Sequence, residues 1–277
     1  MFENILGHDV QKKVLINNLK QNNISHAYLF AGKAGIGKRT IAEEFAKLIL
    51  KTDNLISCPD YKYICKREDK KDIVIEQIRT DIIEDVYVVP ATGNYKVYVI
   101  DDASSLNIAS QNALLKTLEE PPEYVVLILI AQTISNFLPT ILSRLNKISF
   151  NGLEDELVSN YILDKYNVSL DNKLIKYLDG SIGYANKVIS ENLIDKFKTI
   201  DELTSLINNK NTVDVLKKAQ EIDFSVNILL DYFEYNLYIN NYLNATKYVE
   251  RALIRLKNNG NYDIVIDNMI LKIVESI

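Results

Sequence analysis

Gly32-Lys33-Ala34-Gly35-Ile36-Gly37-Lys38-Arg39 has the residue types and spacing of a phosphate-binding loop, with one position changed. In the pattern G-x-x-x-x-G-K-[ST], backbone N–H groups cradle phosphates at a helix N-terminus. The lysine reaches the β/γ-phosphates, and the closing hydroxyl binds Mg²⁺. Gly32, Gly37 and Lys38 keep the pattern, with Gly35 adding to the glycine content, but Arg39 occupies the hydroxyl position. A guanidinium is a permanent cation with no acceptor atom, so it cannot ligate a metal. Thr40 follows, yet one step along a helix turns a side chain by about 100°, which makes it a poor replacement. Farther on, Asp101-Asp102 closes the apolar run Val97-Tyr98-Val99-Ile100. In phosphate-loop NTPases an Asp there holds Mg²⁺, and a following Glu commonly orients the attacking water. Asp102 is one methylene shorter and falls short of that water. Taken alone, the pair reads as surface carboxylates capping a loop; with the phosphate loop upstream it reads as a degenerate Mg²⁺ site. The residues describe an ATPase frame lacking part of an ATPase's chemistry.

The elements that position these groups alternate between strand and helix. The apolar run 27–31 predicts a parallel strand buried on both faces, feeding directly into the glycine loop. A helix is expected over 40–50, with Ile41, Phe45, Leu48 and Ile49 on one side. Strands are expected at 61–64, 97–102, 124–131 and 147–150. Ile75, Ile78, Ile82 and Val86 recur at helical spacing, 107–119 reads as a helix stopped by Pro121-Pro122, and 139–144 as a short helical turn. This alternation predicts an α/β fold: an open five-stranded parallel sheet with helices on both faces. Ligands of such sheets bind beyond the carboxyl ends of the strands, where both constellations fall. After Asn151-Gly152 three short helical patterns follow (153–166, 170–178, 184–192), and only helical patterns continue from about 200. The expected organisation is a nucleotide-binding-type domain over 1–151, a three-helix lid over 152–200 and an all-helical domain over 201–277.

Composition bounds the function. Hydrophobic residues make up 47% and charged residues 25%, so a sizeable core is expected rather than disorder. A net charge of −5 argues against a chain that grips DNA alone. The N-terminus has no basic or apolar leader, and the longest apolar run, 124–131, is far short of the roughly 20 residues that cross a bilayer. A soluble, reduced, cytoplasmic protein with no membrane partner is expected. Cys58 and Cys65 have no second pair, and His8 and His26 form no ligand pattern. A zinc site needs four ligands, so both cysteines are expected to be ordinary buried thiols and no metal is expected. Ser143-Arg144-Leu145 holds a lone arginine, which by chemistry alone reads as a solvated surface residue.

Several segments taken together resemble the AAA+ clamp-loader subunits of bacterial DNA polymerase III. The run from Asn112 to Pro122 (NALLKTLEEPP) is close to a signature for them. Phe2 to His8 resembles their N-terminal segment near the adenine, and Ser25 to Phe30 their approach to the phosphate loop. Leu138 to Arg144 is similar to their arginine-finger motif, with Leu145 in place of a cysteine. Gly180-Ser181-Ile182-Gly183 is similar to their lid motif. The resemblance covers roughly residues 1 to 190. It implies an AAA+ domain, a lid and a helical collar. It also implies gamma/tau motor subunits and a delta subunit as partners, with the sliding clamp and primer-template DNA reached through the assembly.

The departures from that pattern, Arg39, Asp102, the missing four-cysteine module and Gly183-Tyr184 where a lid arginine is expected, resemble the delta prime class. Members of that class act as a stator and lend an arginine finger, here Arg144, to a neighbour's site. The resemblance therefore implies little or no intrinsic ATPase within a polymerase holoenzyme, no required cofactor, and at most weak ATP, ADP or anion binding at Gly32, Gly35, Gly37, Lys38, Arg39, Thr40, Asp101 and Asp102. The alternative is an active gamma/tau-type motor, with Thr40 or water in place of the lost ligand. An unrelated phosphate-loop kinase is a third reading, against which the 114–122 stretch and the helical C-terminus argue.

Overall fold

The structure, a computed structural model, describes residues 1–3, 5–67, 70, 72–208 and 212–277. Asn4, part of the N-terminal resemblance, lies outside the described residues. The chain falls into two compact units, Met1–Ala185 and Asn186–Ile277.

The first unit is built on a parallel sheet. In chain order it holds α1 (Asp9–Lys20), β1 (Ala27–Ala31), α2 (Lys38–Leu50), β2 (Tyr61–Ile64) and α3 (Ile75–Ile78), which widens into a π-type turn over Arg79–Ile83. It continues with β3 (Lys96–Ile100), α4 (Ile108–Glu119), β4 (Val125–Ala131), α5 (Pro139–Leu142), β5 (Asn146–Ser149), α6 (Asp155–Tyr166), α7 (Asn172–Leu178) and the start of α8 (Ile182–Ser190). The sheet order is β2-β3-β4-β1-β5, and every pairing is parallel.

Residues of β1, β3 and β4 are buried throughout, which is why these strands read as continuous apolar runs. Successive β1 side chains go to opposite faces. Tyr28 and Phe30 join one core with Ile41, Phe45 and Ile49 of α2, where the Tyr28 and Phe45 rings meet edge to face at 5.4 Å. Leu29 joins the other core with Leu114 and Leu118 of α4. Each large side chain so buried contributes on the order of 1.5–3 kcal/mol, so both helical layers are fixed against the sheet.

Some boundaries differ from the sequence expectation, each for a local reason. Helix α2 begins at Lys38, before Thr40, because Gly37 at φ 97° turns the chain into the first helical turn. Asp101 and Asp102 lie in the turn beyond β3, with Asp102 left-handed at φ 52°. Arg144 lies just past α5. Strand β5 is Asn146–Ser149 because its register is set by pairing with β1, from Tyr28↔Asn146 to Ala31↔Ser149. The expectation of two buried thiols is corrected: Cys58 is partly exposed and Cys65 exposed. Strand β2 is at the sheet edge, and Cys65 leaves it one residue after its end.

The second unit is helical: α9 (Ile194–Asn208), α10 (Thr212–Ala219), α11 (Asn227–Ile239), α12 (Leu243–Lys257) and α13 (Tyr262–Ser276). Its core includes Phe197, Leu203, Phe233, Leu237, Val249 and Ile270. Among the described residues no helix is long and apolar enough to cross a membrane.

Candidate functional site

The phosphate loop joins β1 to α2. It is pinned to the sheet by the Gly32 N–H, which donates to the Ala131 carbonyl at 3.1 Å. Gly37 needs its glycine for φ alone, since a side chain there would meet nothing within 4 Å. The Lys38 ammonium is buried and donates to the carbonyls of Gly32, at 2.5 Å, and Lys33. Burial lowers its pKa, and the charge of Asp101 partly offsets that. The N-terminal segment closes over the loop: His8 Nε2 donates to the Ile36 carbonyl at 2.7 Å, and its ring packs edge-on to Phe150 at 5.2 Å. Burial chiefly lowers the His8 pKa against the effect of that hydrogen bond.

The metal position is turned to other uses. Arg39 Nε donates to Glu43 Oε1 at 2.7 Å, one turn along α2, and its guanidinium lies 4.4 Å from the centre of the Tyr63 ring. Tyr63 in turn donates its hydroxyl to Asp101 Oδ2 at 2.6 Å, while Asp101 Oδ1 accepts from the Asp102 N–H at 2.9 Å. Burial and the hydrogen bond to Asp101 push the Tyr63 pKa far up, so it remains a donor. Burial likewise raises the pKa of Asp102. Thr40 is exposed on α2. The structure thus brings Lys38, Arg39 and Asp101 to one end of the sheet, but Arg39, Tyr63 and Asp101 hold one another.

The lid motif packs directly on the phosphate loop. The Gly183 N–H donates to the Gly35 carbonyl at 2.8 Å, Ser181 Oγ donates to the Ala34 carbonyl at 3.1 Å, and Lys33 pairs with Asp179. Backbone meets backbone here: a Cβ on Gly183 would sit 2.7 Å from Gly35 Cα, and one on Gly35, whose φ is +72°, would sit 2.3 Å from Ser181 Oγ. Of the Gly183-Tyr184 pair that stands where the resemblance implies a lid arginine, Gly183 has no room for a side chain.

Arg144 sits apart from the loop's residues. Its Nη2 lies 2.9 Å from Glu119 Oε1, and Nη1 donates to the Thr140 carbonyl at 2.8 Å and to Ser143 Oγ at 3.2 Å. The arginine side chain is 34% exposed and held within its own chain by these contacts. Sequence reasoning passed over Tyr63, which carries no motif, and gave Glu119 no role beyond its place in the 112–122 run. Glu43 could have been found, since it lies at i+4 from Arg39.

The donor set is selective. Loop N–H groups at the start of α2 and a lysine beside them fit a phosphate. A magnesium ion fits poorly, because no hydroxyl stands at its position and both Asp101 oxygens accept hydrogen bonds from the protein. Among the described residues no cluster of three His, Cys, Asp or Glu could hold a metal.

A five-stranded parallel sheet with a phosphate loop after its first strand, followed by a helical C-terminal region, is an AAA+-type architecture. The family described as DNA polymerase III, delta subunit, matches residues 7–154. The chain belongs to that family, and with it to the clamp-loader proteins of DNA polymerase III. It is 32% identical over 232 residues to DNA polymerase III subunit gamma of Buchnera aphidicola (Schizaphis graminum), covering 78% of this chain and 62% of that protein. It is 33% identical over 218 residues to subunit tau of Bacillus subtilis, covering 74% of this chain and 38% of that one. The chain therefore spans less than two thirds of the length of these relatives. Among solved structures, a gamma subunit-related protein from Thermotoga maritima has the same fold, with a TM-score of 0.57 at 18% identity, covering 94% of this chain and 98% of that one.

Proposed function

We propose that the chain is the stator of the clamp loader, of the delta prime class. It binds phosphate weakly or not at all and hydrolyses little ATP itself. It sits in the cytoplasm beside gamma/tau motors and a delta subunit, and lends Arg144 to a neighbour's site. The observation that carries this is the linked set Arg39–Tyr63–Asp101: an arginine that cannot ligate Mg²⁺ stands at the hydroxyl position, and Asp101, which could, is tied to it through Tyr63. A site without the metal hydroxyl, the water-orienting Glu and the lid arginine has lost several electrostatic contributions; for scale, one transition-state hydrogen-bond donor is worth about 2.7–4 kcal/mol of barrier. A finger acting in trans needs no working site in its own subunit, and such fingers are worth about 10³–10⁵ in rate. The sliding clamp and primed DNA would be reached through the assembly, consistent with a net charge of −5.

The test is DNA-stimulated ATP hydrolysis by a loader assembled with this chain or with Arg144→Ala. A large loss of turnover with assembly intact supports the stator reading, and unchanged turnover removes Arg144 from the mechanism. A second reading, an active motor, has its own support: the relatives described above are gamma and tau subunits. Mg²⁺-dependent turnover by the isolated chain would favour it.

A further inference from the structure

The backbone of the phosphate loop has its carbonyls tied off and its N–H groups left over. Lys38 Nζ donates to the carbonyls of Gly32, at 2.5 Å, and Lys33. Ser181 Oγ donates to Ala34 at 3.1 Å, the Gly183 N–H to Gly35 at 2.8 Å, and His8 Nε2 to Ile36 at 2.7 Å. Among the described residues, no N–H group of residues 33–37 has a protein acceptor. With the carbonyls held from behind, these donors are available to an anion. Lys38 has used two of the three donors of an ammonium. Arg39 is held in the same manner. Its Nε donates to Glu43 Oε1 at 2.7 Å, and its face lies 4.4 Å from the centre of the Tyr63 ring. The side chain is 57% exposed, and among the described residues its Nη groups have no hydrogen-bond partner. One bond at Nε and a ring against its face fix the guanidinium plane and leave the fork open, the form in which arginine grips phosphate through two bonds.

We propose that Arg39 replaces the metal as counter-charge: the loop takes a di- or triphosphate chain as the free anion, without Mg²⁺, on its N–H groups, Lys38 and the Arg39 fork. In phosphate-loop proteins Mg²⁺ neutralises the β- and γ-oxygens. Here Lys38 and Arg39, neighbours in the chain, bring two positive charges of the protein's own. A metal-bound ligand gains nothing in exchange, because both Asp101 oxygens are committed, one to the Tyr63 hydroxyl at 2.6 Å and one to the Asp102 N–H at 2.9 Å. It also brings a dication to a position that already carries a guanidinium, and like charges repel. The inference rests on the reading of this loop as a phosphate site and makes no use of Arg144.

The experiment is isothermal titration calorimetry of the full chain with two probes, ADP and tripolyphosphate, each in EDTA and in excess Mg²⁺. The expected result is saturable binding in EDTA that Mg²⁺ does not strengthen. Arg39→Gln should lower the metal-free affinity by about tenfold to a hundredfold, the loss expected for hydrogen bonds to a charged group. Circular dichroism checks the fold of that variant; if it has lost helix, Arg39→Thr, which has the residue type of the common pattern, makes the same metal-free comparison. Whichever probe binds more tightly gives the source of the phosphate chain, and either supports the proposal. Binding that Mg²⁺ strengthens, or that is unchanged in the folded variant, overturns the proposal while leaving the loop a phosphate site. Absence of binding by both probes in every condition overturns the phosphate reading and the proposal together, and leaves the Arg144→Ala test on the assembled loader standing.

Discussion

Arg144 Nη2 lies 2.9 Å from Glu119 Oε1, joining the last residue of α4 to the turn after α5. The pair is partly exposed, at 34% and 48%, and such pairs contribute about 0–1 kcal/mol. Its consequence lies in aim rather than stability. With Nη1 on the Thr140 carbonyl, the guanidinium is held from two sides. If Arg144 acts in a neighbour's site, Glu119→Ala should change the unfolding free energy by less than about 1 kcal/mol. It should still reduce DNA-stimulated turnover of the assembled loader by roughly 3–10-fold, with Glu119→Gln, which keeps an acceptor, in between. Full turnover in Glu119→Ala would show that the pair does not orient the finger.

Restoring the expected residue at position 39 should not restore an ATPase. Arg39→Thr would supply a hydroxyl, yet Asp101 would still be held by the Tyr63 hydroxyl at 2.6 Å, and Asp102 would still stand where a glutamate orients water. Phosphate release by the isolated variant is expected to stay within about tenfold of background, because each missing electrostatic group alone costs about 10²–10³ in rate. Turnover approaching that of a gamma/tau motor would show that Arg39 by itself was the block.

The contrast between legible and hidden parts of the site follows from sequence distance. Strands β1, β3 and β4 were readable because burial on both faces leaves continuous apolar runs, and the loop because phosphate binding dictates glycine and lysine at fixed spacing. The partners of those residues were not readable. Tyr63 reaches Arg39 and Asp101 only because β2 lies beside β3 in the sheet, and Glu119 reaches Arg144 only through the docking of α4 near α5. The exposure of Cys65 likewise depends on β2 being an edge strand, which strand order decides and local pattern does not.

The lid contact gives a prediction about the absent lid arginine. A side chain at position 183 would bring its Cβ to 2.7 Å from Gly35 Cα, a backbone atom that cannot rotate away. Gly183→Arg should therefore displace the 180–184 segment from the loop and destabilise the first unit by about 1–3 kcal/mol. Urea unfolding monitored on that unit measures this, and a neutral or stabilising effect would mean that the glycine contact is not the reason the arginine is missing.

Acid stability should depend on two hydrogen-bonded carboxylates, Asp60, which is buried, and Asp85, which is half-buried. Burial alone would raise the Asp60 pKa. The Thr92 hydroxyl, at 2.6 Å, and the N–H groups of Ala91 and Thr92, at 2.7 and 2.8 Å, outweigh burial and hold it below the usual value. Asp85 behaves alike: the Tyr98 hydroxyl at 2.7 Å, then Lys96 at 3.0 Å and Lys62 at 3.3 Å, overcome its desolvation. Both pKa values are lower folded than unfolded, so their stabilisation is present above the unfolded value of about 3.9 and is lost as pH falls through the folded values. The unfolding midpoint should show no loss from these two groups between about pH 7 and pH 5, and fall below about pH 4. Asp60→Asn replaces an acceptor by an amide that cannot satisfy three donors. It should cost about 1–3 kcal/mol near neutral pH and make the acid-induced loss shallower. If the variant and the parent lose stability in parallel as the pH falls, Asp60 is not a source of the acid sensitivity.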